Sequence, residues 1–287
     1  MRAPPHAKIF RAHRPRSGSR CAPSRPTAGA AALSATPLDA IPNGVHHPIS
    51  VVVVPTRDFE VARRFYTTAF GWHMHHLTES VAVSFMPTGP SVVLRSRDAG
   101  DETPTTPLLQ VADVNQALAD VVARGGAQVA APYDVPLGGR IVRFADPSGT
   151  VYGLTSNIPA GAVPQVPIPV GANPRPADGT VCSVEMYTSD PNATAHFFGS
   201  VFAWRSIPTL PHSTAFDPGA GIAGIWQSHT PSTRSLPYIY AASVEQALRD
   251  VERAGGVRRG TPTVVPGMAT FGYFTDPSGT PMGMMGG

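Results

Sequence analysis

Glu185 is the single acid within the otherwise apolar run Val181–Tyr187, which makes it the first candidate for chemistry. A carboxylate withdrawn from water is costly unless paired, and desolvation raises its pKa. Such a group can anchor a ligand or act as a general base. Ser183 lies two residues earlier and shares its face in an extended chain. Tyr238 and Tyr240 alternate in the same way on Pro237–Ala241, where two rings offer an apolar wall with hydroxyl handles. Trp226 and Met285 are expected to extend that wall. The expected ligand-binding set is therefore Ser183, Glu185, Trp226, Tyr238, Tyr240 and Met285, with Glu185 the catalytic group if catalysis occurs.

Histidines form a second cluster, His73, His75 and His76. The first two share a strand face at a spacing that can chelate a metal, but no carboxylate stands near in sequence, and the better reading is a solvated strand. His46 and His47 precede the first apolar run and read as loop. No Ser-His-Asp order, phosphate loop or paired-cysteine motif is present. Gly219–Gly224 resembles a dinucleotide fingerprint but lies between strands rather than before a helix, so it is set aside. Cys21 and Cys182 give no disulfide framework and suit a reducing, cytoplasmic setting.

The elements that must position these groups come from a duplication. Asp-Pro-Ser-Gly-Thr occurs at Asp146–Thr150 and again at Asp276–Thr280, each time between two short apolar runs, which reads as a hairpin closing each half. Upstream, Val114–Val121 matches Val244–Val251, and both run into a Gly-Gly pair. Four helix starts are marked by capping residues, Asp58, Asp113, Asp190 and Ser243. Gln116 and Gln246 stand where a reciprocal cap would form. The expected apolar faces are Val61, Ala62, Phe65, Tyr66 and Ala69; Val114, Ala117, Leu118, Val121 and Val122; and Ala193, Phe197, Phe198, Val201 and Phe202. Trp72 and Trp204 each follow their capping Asp by fourteen residues. With strands between, the chain reads as four βαβββ units, paired two and two.

Charge is uneven. Residues 1–40 hold seven of the 22 Lys+Arg and one of the 19 acids, so the remainder carries 15 basic and 18 acidic residues. That mildly acidic remainder excludes a nucleic-acid surface, and no apolar run approaches the roughly 18 residues of a membrane span. The Arg/Pro-rich stretch 1–45 reads as a disordered extension, with the composition of a transit peptide as the competing reading. Domains are expected at 46–157 and 179–287, joined by a Pro-rich linker at 158–178.

The stretch Asp58-Phe59-Glu60-Val61-Ala62-Arg63-Arg64-Phe65-Tyr66 through Phe70-Gly71-Trp72 is similar to the first helix of the vicinal-oxygen-chelate superfamily, which groups glyoxalases, bleomycin-resistance proteins and extradiol dioxygenases. Asp190 through Phe202-Ala203-Trp204 repeats it, and the Asp-Pro-Ser-Gly turns match that superfamily's last hairpin. The resemblance implies an α+β fold of two tandem domains, each a curled mixed sheet forming a cup with helices outside. It also implies a divalent metal held by a His on the first strand, a His or similar residue before the second helix, and a Glu on the last strand. Counted from the caps, those positions are Val51, Thr106 and Gly153, then Ser183, Leu236 and Gly283, none a good ligand. The expectation is a metal-independent protein without cofactor that holds a small organic ligand in the second cup. A metal-dependent lyase, isomerase or dioxygenase is the alternative. Two fused halves can complete one another as a pseudo-dimer within one chain, which fits a monomer or a homodimer.

Overall fold

The computed structural model describes residues 46–86, 88–97, 103–135, 139–156, 175–229 and 235–287. The N-terminal extension, most of the Pro-rich linker and Cys21 lie outside the described residues. The first half runs β1 (Ile49–Thr56), α1 (Phe59–Phe70), β2 (His75–Thr78), β3 (Val81–Ser84), β4 (Ser91–Ser96) and β5 (Thr106–Gln110). It continues with α2 (Val114–Ala123), β6 (Ala127–Gln128), β7 (Tyr133–Asp134), β8 (Arg140–Ala145) and β9 (Val151–Thr155). The second half repeats this as β10 (Val181–Tyr187), α3 (Pro191–Phe202), β11 (Arg205–Leu210), β12 (Ser213–Asp217), β13 (Gly224–Gln227) and β14 (Ser235–Tyr240). Then come α4 (Val244–Arg253), β15 (Val257–Arg258), β16 (Thr263–Val265), β17 (Ala269–Thr275) and β18 (Pro281–Gly286).

Each half builds one mixed sheet, ordered β2-β3-β4-β1-β5-β9-β8-β6 and β11-β12-β13-β10-β14-β18-β17-β15. In every βαβββ unit the first and last strands pair parallel, β1 with β4 and β5 with β9. The two units of a half join antiparallel, β1 to β5 and β10 to β14. This is the curled α+β sheet that the resemblance implied.

All four caps work as their residue types require. Asp58 accepts from Val61 N, Asp113 from Asn115 N and Gln116 N, Asp190 from Asn192 N and Ala193 N, and Ser243 from Gln246 N. Each such bond stabilises its helix by about 1 kcal/mol. The reciprocal half of the cap does not form: Gln116 and Gln246 reach forward one turn to Asp120 and Asp250 instead. There the amide Nε2 donates to a carboxylate four residues on, and Gln246 Oε1 accepts from Arg249 rather than from the capping residue's N–H. Two apolar positions also differ from expectation. Val122 is 52% exposed and Ala193 is exposed, both on the solvent side of their helices.

One face of each sheet packs on helices, and there α1 meets α4 and α2 meets α3, so both halves share a single core. The contacts across the halves follow the repeat. Trp72 Nε1 donates to Gly179 O at 2.7 Å, and Trp204 Nε1 donates to His47 O at 3.0 Å, the equivalent carbonyl of the other copy. The Asp-Pro-Ser-Gly-Thr turns do more than close hairpins. Thr150 Oγ1 donates to Tyr187 O at 2.7 Å, and Thr280 Oγ1 to Pro55 O at 3.1 Å, so each turn docks on the other half's first strand. Asp146 accepts from Thr194 Oγ1, and Asp276 accepts from Tyr66 OH, again across the halves.

Asp276 also accepts from Ser278 N and Thr280 N. Burial nonetheless outweighs these bonds and holds its carboxyl above the ordinary range. Asp276→Ala leaves two backbone donors and the Tyr66 hydroxyl without an acceptor. The expected loss is about 3 kcal/mol of stability, read as a lower urea midpoint, whereas an unchanged midpoint contradicts the docking role.

Candidate functional site

The face of the second sheet turned away from the helices carries its own cluster, Cys182, Leu236, Tyr238, Tyr240 and Met285, with Tyr187 and Phe271 packed against it. Strand alternation produces it. Val181, Val184 and Met186 of β10 point to the shared core, and Ser183, Glu185 and Tyr187 fall on the other side. A register shift between Val181 and Ser183 places Cys182 on the concave side as well. Burial pushes that thiol up to about 12, so it stays protonated and inert.

Glu185 and Tyr238 meet directly. The Tyr238 hydroxyl donates to Glu185 Oε2 at 2.5 Å, a short charge-assisted bond, and lies 3.4 Å from the Tyr273 hydroxyl. Burial, then the neighbouring Glu185 charge, holds the Tyr238 phenol far above its ordinary value, and the same two causes raise Tyr187. Rings surround the pair edge to face. Tyr273 stands 6.2 Å from Tyr238 at 70°, and Phe271 stands 6.0 Å from it at 84°. His229 closes on Tyr187 at 5.4 Å. The Tyr240 hydroxyl is buried without a hydrogen-bond partner among the described residues. Ser183 Oγ is committed to Ala223 O at 3.1 Å.

Of the six residues expected in this wall, Glu185, Tyr238, Tyr240 and Met285 are brought together, and Ser183 lies in the same patch. Trp226 is the exception. It pairs with Met186 rather than with Glu185, so it faces the helices, fully buried and 4.5 Å from the Phe216 ring and 5.2 Å from Phe198. Tyr187, Phe271 and Tyr273 belong to the wall and were not among the expected residues. A period-two reading of β17 and of the end of β10 was the available signal.

Strand pairing decides which residues lie beside the positions that the resemblance assigns to metal ligands on the first and last strands. Ser183 pairs with Tyr238, and Tyr238 pairs with Gly283, so these three are neighbours; Leu236 sits opposite Glu185 instead. In the first half the neighbours are Val51, Leu108 and Gly153, and Thr106 sits opposite Val53. Neither trio offers a side chain that suits a divalent metal. The glycines have a packing reason. A Cβ at Gly283 would meet the Tyr238 ring at 2.5 Å, and one at Gly153 would meet Leu108 Cδ2 at 2.2 Å. The space of a last-strand carboxylate is filled in both halves by a neighbour's side chain. At these positions the first cup carries Leu108 and, opposite Gly153, Arg143, where the second carries Tyr238 and, opposite Gly283, Tyr273.

The histidine cluster does not assemble a site. His73, His75 and His76 are exposed on the sheet edge at β2, with His75 against Phe85 and His76 against Phe59. His47 Nδ1 contacts Gln110 O, and burial lowers its pKa. Among the described residues, no group of three or more His, Cys, Asp or Glu is placed to hold an ion, and no helix is long and apolar enough to cross a membrane.

Residues 48–152 match the model of the Glyoxalase/Bleomycin resistance protein/Dioxygenase superfamily. "Putative glyoxylase CFP32" of Mycobacterium tuberculosis is 24% identical over 250 residues, covering 79% of this chain and 90% of that protein. Among solved structures, the Mn(II)-bound glyoxalase from Novosphingobium aromaticivorans superposes with a TM-score of 0.64 at 18% identity, over 84% of this chain and 83% of that one. The 2,3-dioxygenase LapB from Pseudomonas sp. KL28 gives 0.63 at 14% identity, over 85% and 93%. At these identities the structural likeness speaks for the fold.

Proposed function

We propose that this chain, which belongs to the Glyoxalase/Bleomycin resistance protein/Dioxygenase superfamily, holds a small organic ligand against Glu185 in its second cup without a metal ion. The observation that carries the reading is the Tyr238 ring lying over Gly283, in the space that a chelating carboxylate on the last strand would need. What replaces a chelate is a carboxylate and a phenol joined at 2.5 Å and walled by rings. Concave apolar surface with a few convergent polar groups is the usual make-up of a small-molecule site. Glu185 is the anchor; Tyr238 orients it and holds its own proton; Tyr187, Phe271 and Tyr273 supply apolar contact.

A metal-dependent lyase, isomerase or dioxygenase is the second reading, favoured by the Mn(II)-bound glyoxalase that shares the fold. No catalytic step follows from the side chains of this cup.

A ligand-observed NMR screen of small aromatic and aliphatic fragments, with EDTA present throughout, separates the two. The expected result is a set of binders whose signal is lost in Glu185→Ala. Binders that appear only after a divalent metal is added contradict the metal-free reading.

A further inference from the structure

We infer that the ligand of the second cup is an organic cation, an ammonium or amidinium group carried on an apolar body. This rests on the small-molecule reading above and names the ligand's class. Glu185 is half-buried, and among the described residues it makes no ion pair. Arg259, on the flank beside β17, donates to Thr275 Oγ1 and not to Glu185. His229 meets the Tyr187 ring edge-on rather than the carboxylate. The Tyr238 hydroxyl takes Oε2 and the Tyr187 phenol also reaches the carboxylate; both are neutral donors, and a carboxylate has further acceptor sites. A withdrawn carboxylate with no counter-charge among the described residues favours a cationic guest over a neutral or anionic one.

The walls point the same way. Tyr187, Tyr238, Phe271 and Tyr273 supply ring faces and edges around one acid, and ring faces attract cations electrostatically. Buried phenols that keep their protons add no competing negative charge. The Tyr240 hydroxyl, on the same face of β14 as Tyr238, is more than nine-tenths buried and has no partner among the described residues. A hydroxyl of this kind inside an aromatic cluster is a polar group that the surrounding packing does not account for.

The test uses the full chain with EDTA present and three probes of one shape: benzylammonium, benzyl alcohol and benzoate, each titrated by calorimetry. Benzylammonium is expected to bind at least about tenfold more tightly than the alcohol, with benzoate weakest, and Glu185→Gln is expected to abolish that preference. Tyr273→Ala, at a partly exposed ring whose loss leaves the core intact, is expected to weaken the cation several-fold and the alcohol little. Equal binding of cation and alcohol, tighter binding of benzoate, or a preference that survives Glu185→Gln overturns the cation class while leaving a small-molecule cup in place. No binding by any of the three overturns the cation class as well. Binding of any probe only when a divalent metal is present sinks the metal-free reading instead.

Discussion

Alkali is expected to unfold this protein near pH 11, well before its arginines titrate. Burial holds the phenols of Tyr66, Tyr152 and Tyr238 well above their ordinary value, and it holds the Cys182 thiol at about 12. The sign follows from linkage. A group whose folded pKa lies above its unfolded one contributes fully below the unfolded value, and that contribution is lost as pH rises beyond it. The thiol therefore begins to cost stability above about pH 8.5 and the phenols above about pH 10, each at up to about 1.4 kcal/mol per pH unit. By pH 11 the four together remove up to about 8 kcal/mol, of the order of a domain's whole stability. Lys8, outside the described residues, is the chain's only lysine, so tyrosine and thiol ionisation dominates this range. Urea unfolding between pH 8 and 11 measures it. Cys182→Ala is expected to flatten the first part of the fall, and a curve flat to pH 11 contradicts the burial described for these groups.

Filling Gly283 is the second large effect. Gly283→Ala puts a Cβ 2.5 Å from the Tyr238 ring, too close for any real contact, so the ring must move or the strands must part. Overpacking of this kind costs about 1–3 kcal/mol. Here it should also break the Tyr238–Glu185 bond, which fixes the carboxylate. Tyr238→Ala alone leaves a cavity and costs about 3–5 kcal/mol. Combined, the two changes relieve each other, because the new methyl enters vacated space. A double-mutant cycle by chemical denaturation should therefore show a favourable coupling above about 1 kcal/mol. Simple additivity contradicts the idea that Gly283 is small in order to seat Tyr238.

The fold was legible because the duplication repeats its punctuation. Capping residues at Asp58, Asp113, Asp190 and Ser243 mark the helices, and each acts on the backbone amides just after it. Half of the site was legible for a similar reason: Glu185, Tyr238 and Tyr240 sit on strands whose alternation alone decides their face. Trp226 was misplaced because its face depends on pairing with Met186, a partner forty residues away that no local pattern reveals. That Tyr238 rather than Leu236 neighbours both Ser183 and Gly283 has the same origin, since register across β10, β14 and β18 decides which residues meet. Asp146 and Asp276 read locally as turn residues. Their role in joining the halves appears only when the other half supplies Thr194 and Tyr66.

Calorimetric titration of the chelator-treated full chain with Mn(II), and separately with Zn(II), bears most directly on the claim that the second cup works without an ion. The account predicts no stoichiometric uptake that depends on Glu185. One equivalent bound at micromolar affinity in the parent chain, and absent in Glu185→Ala, would contradict it.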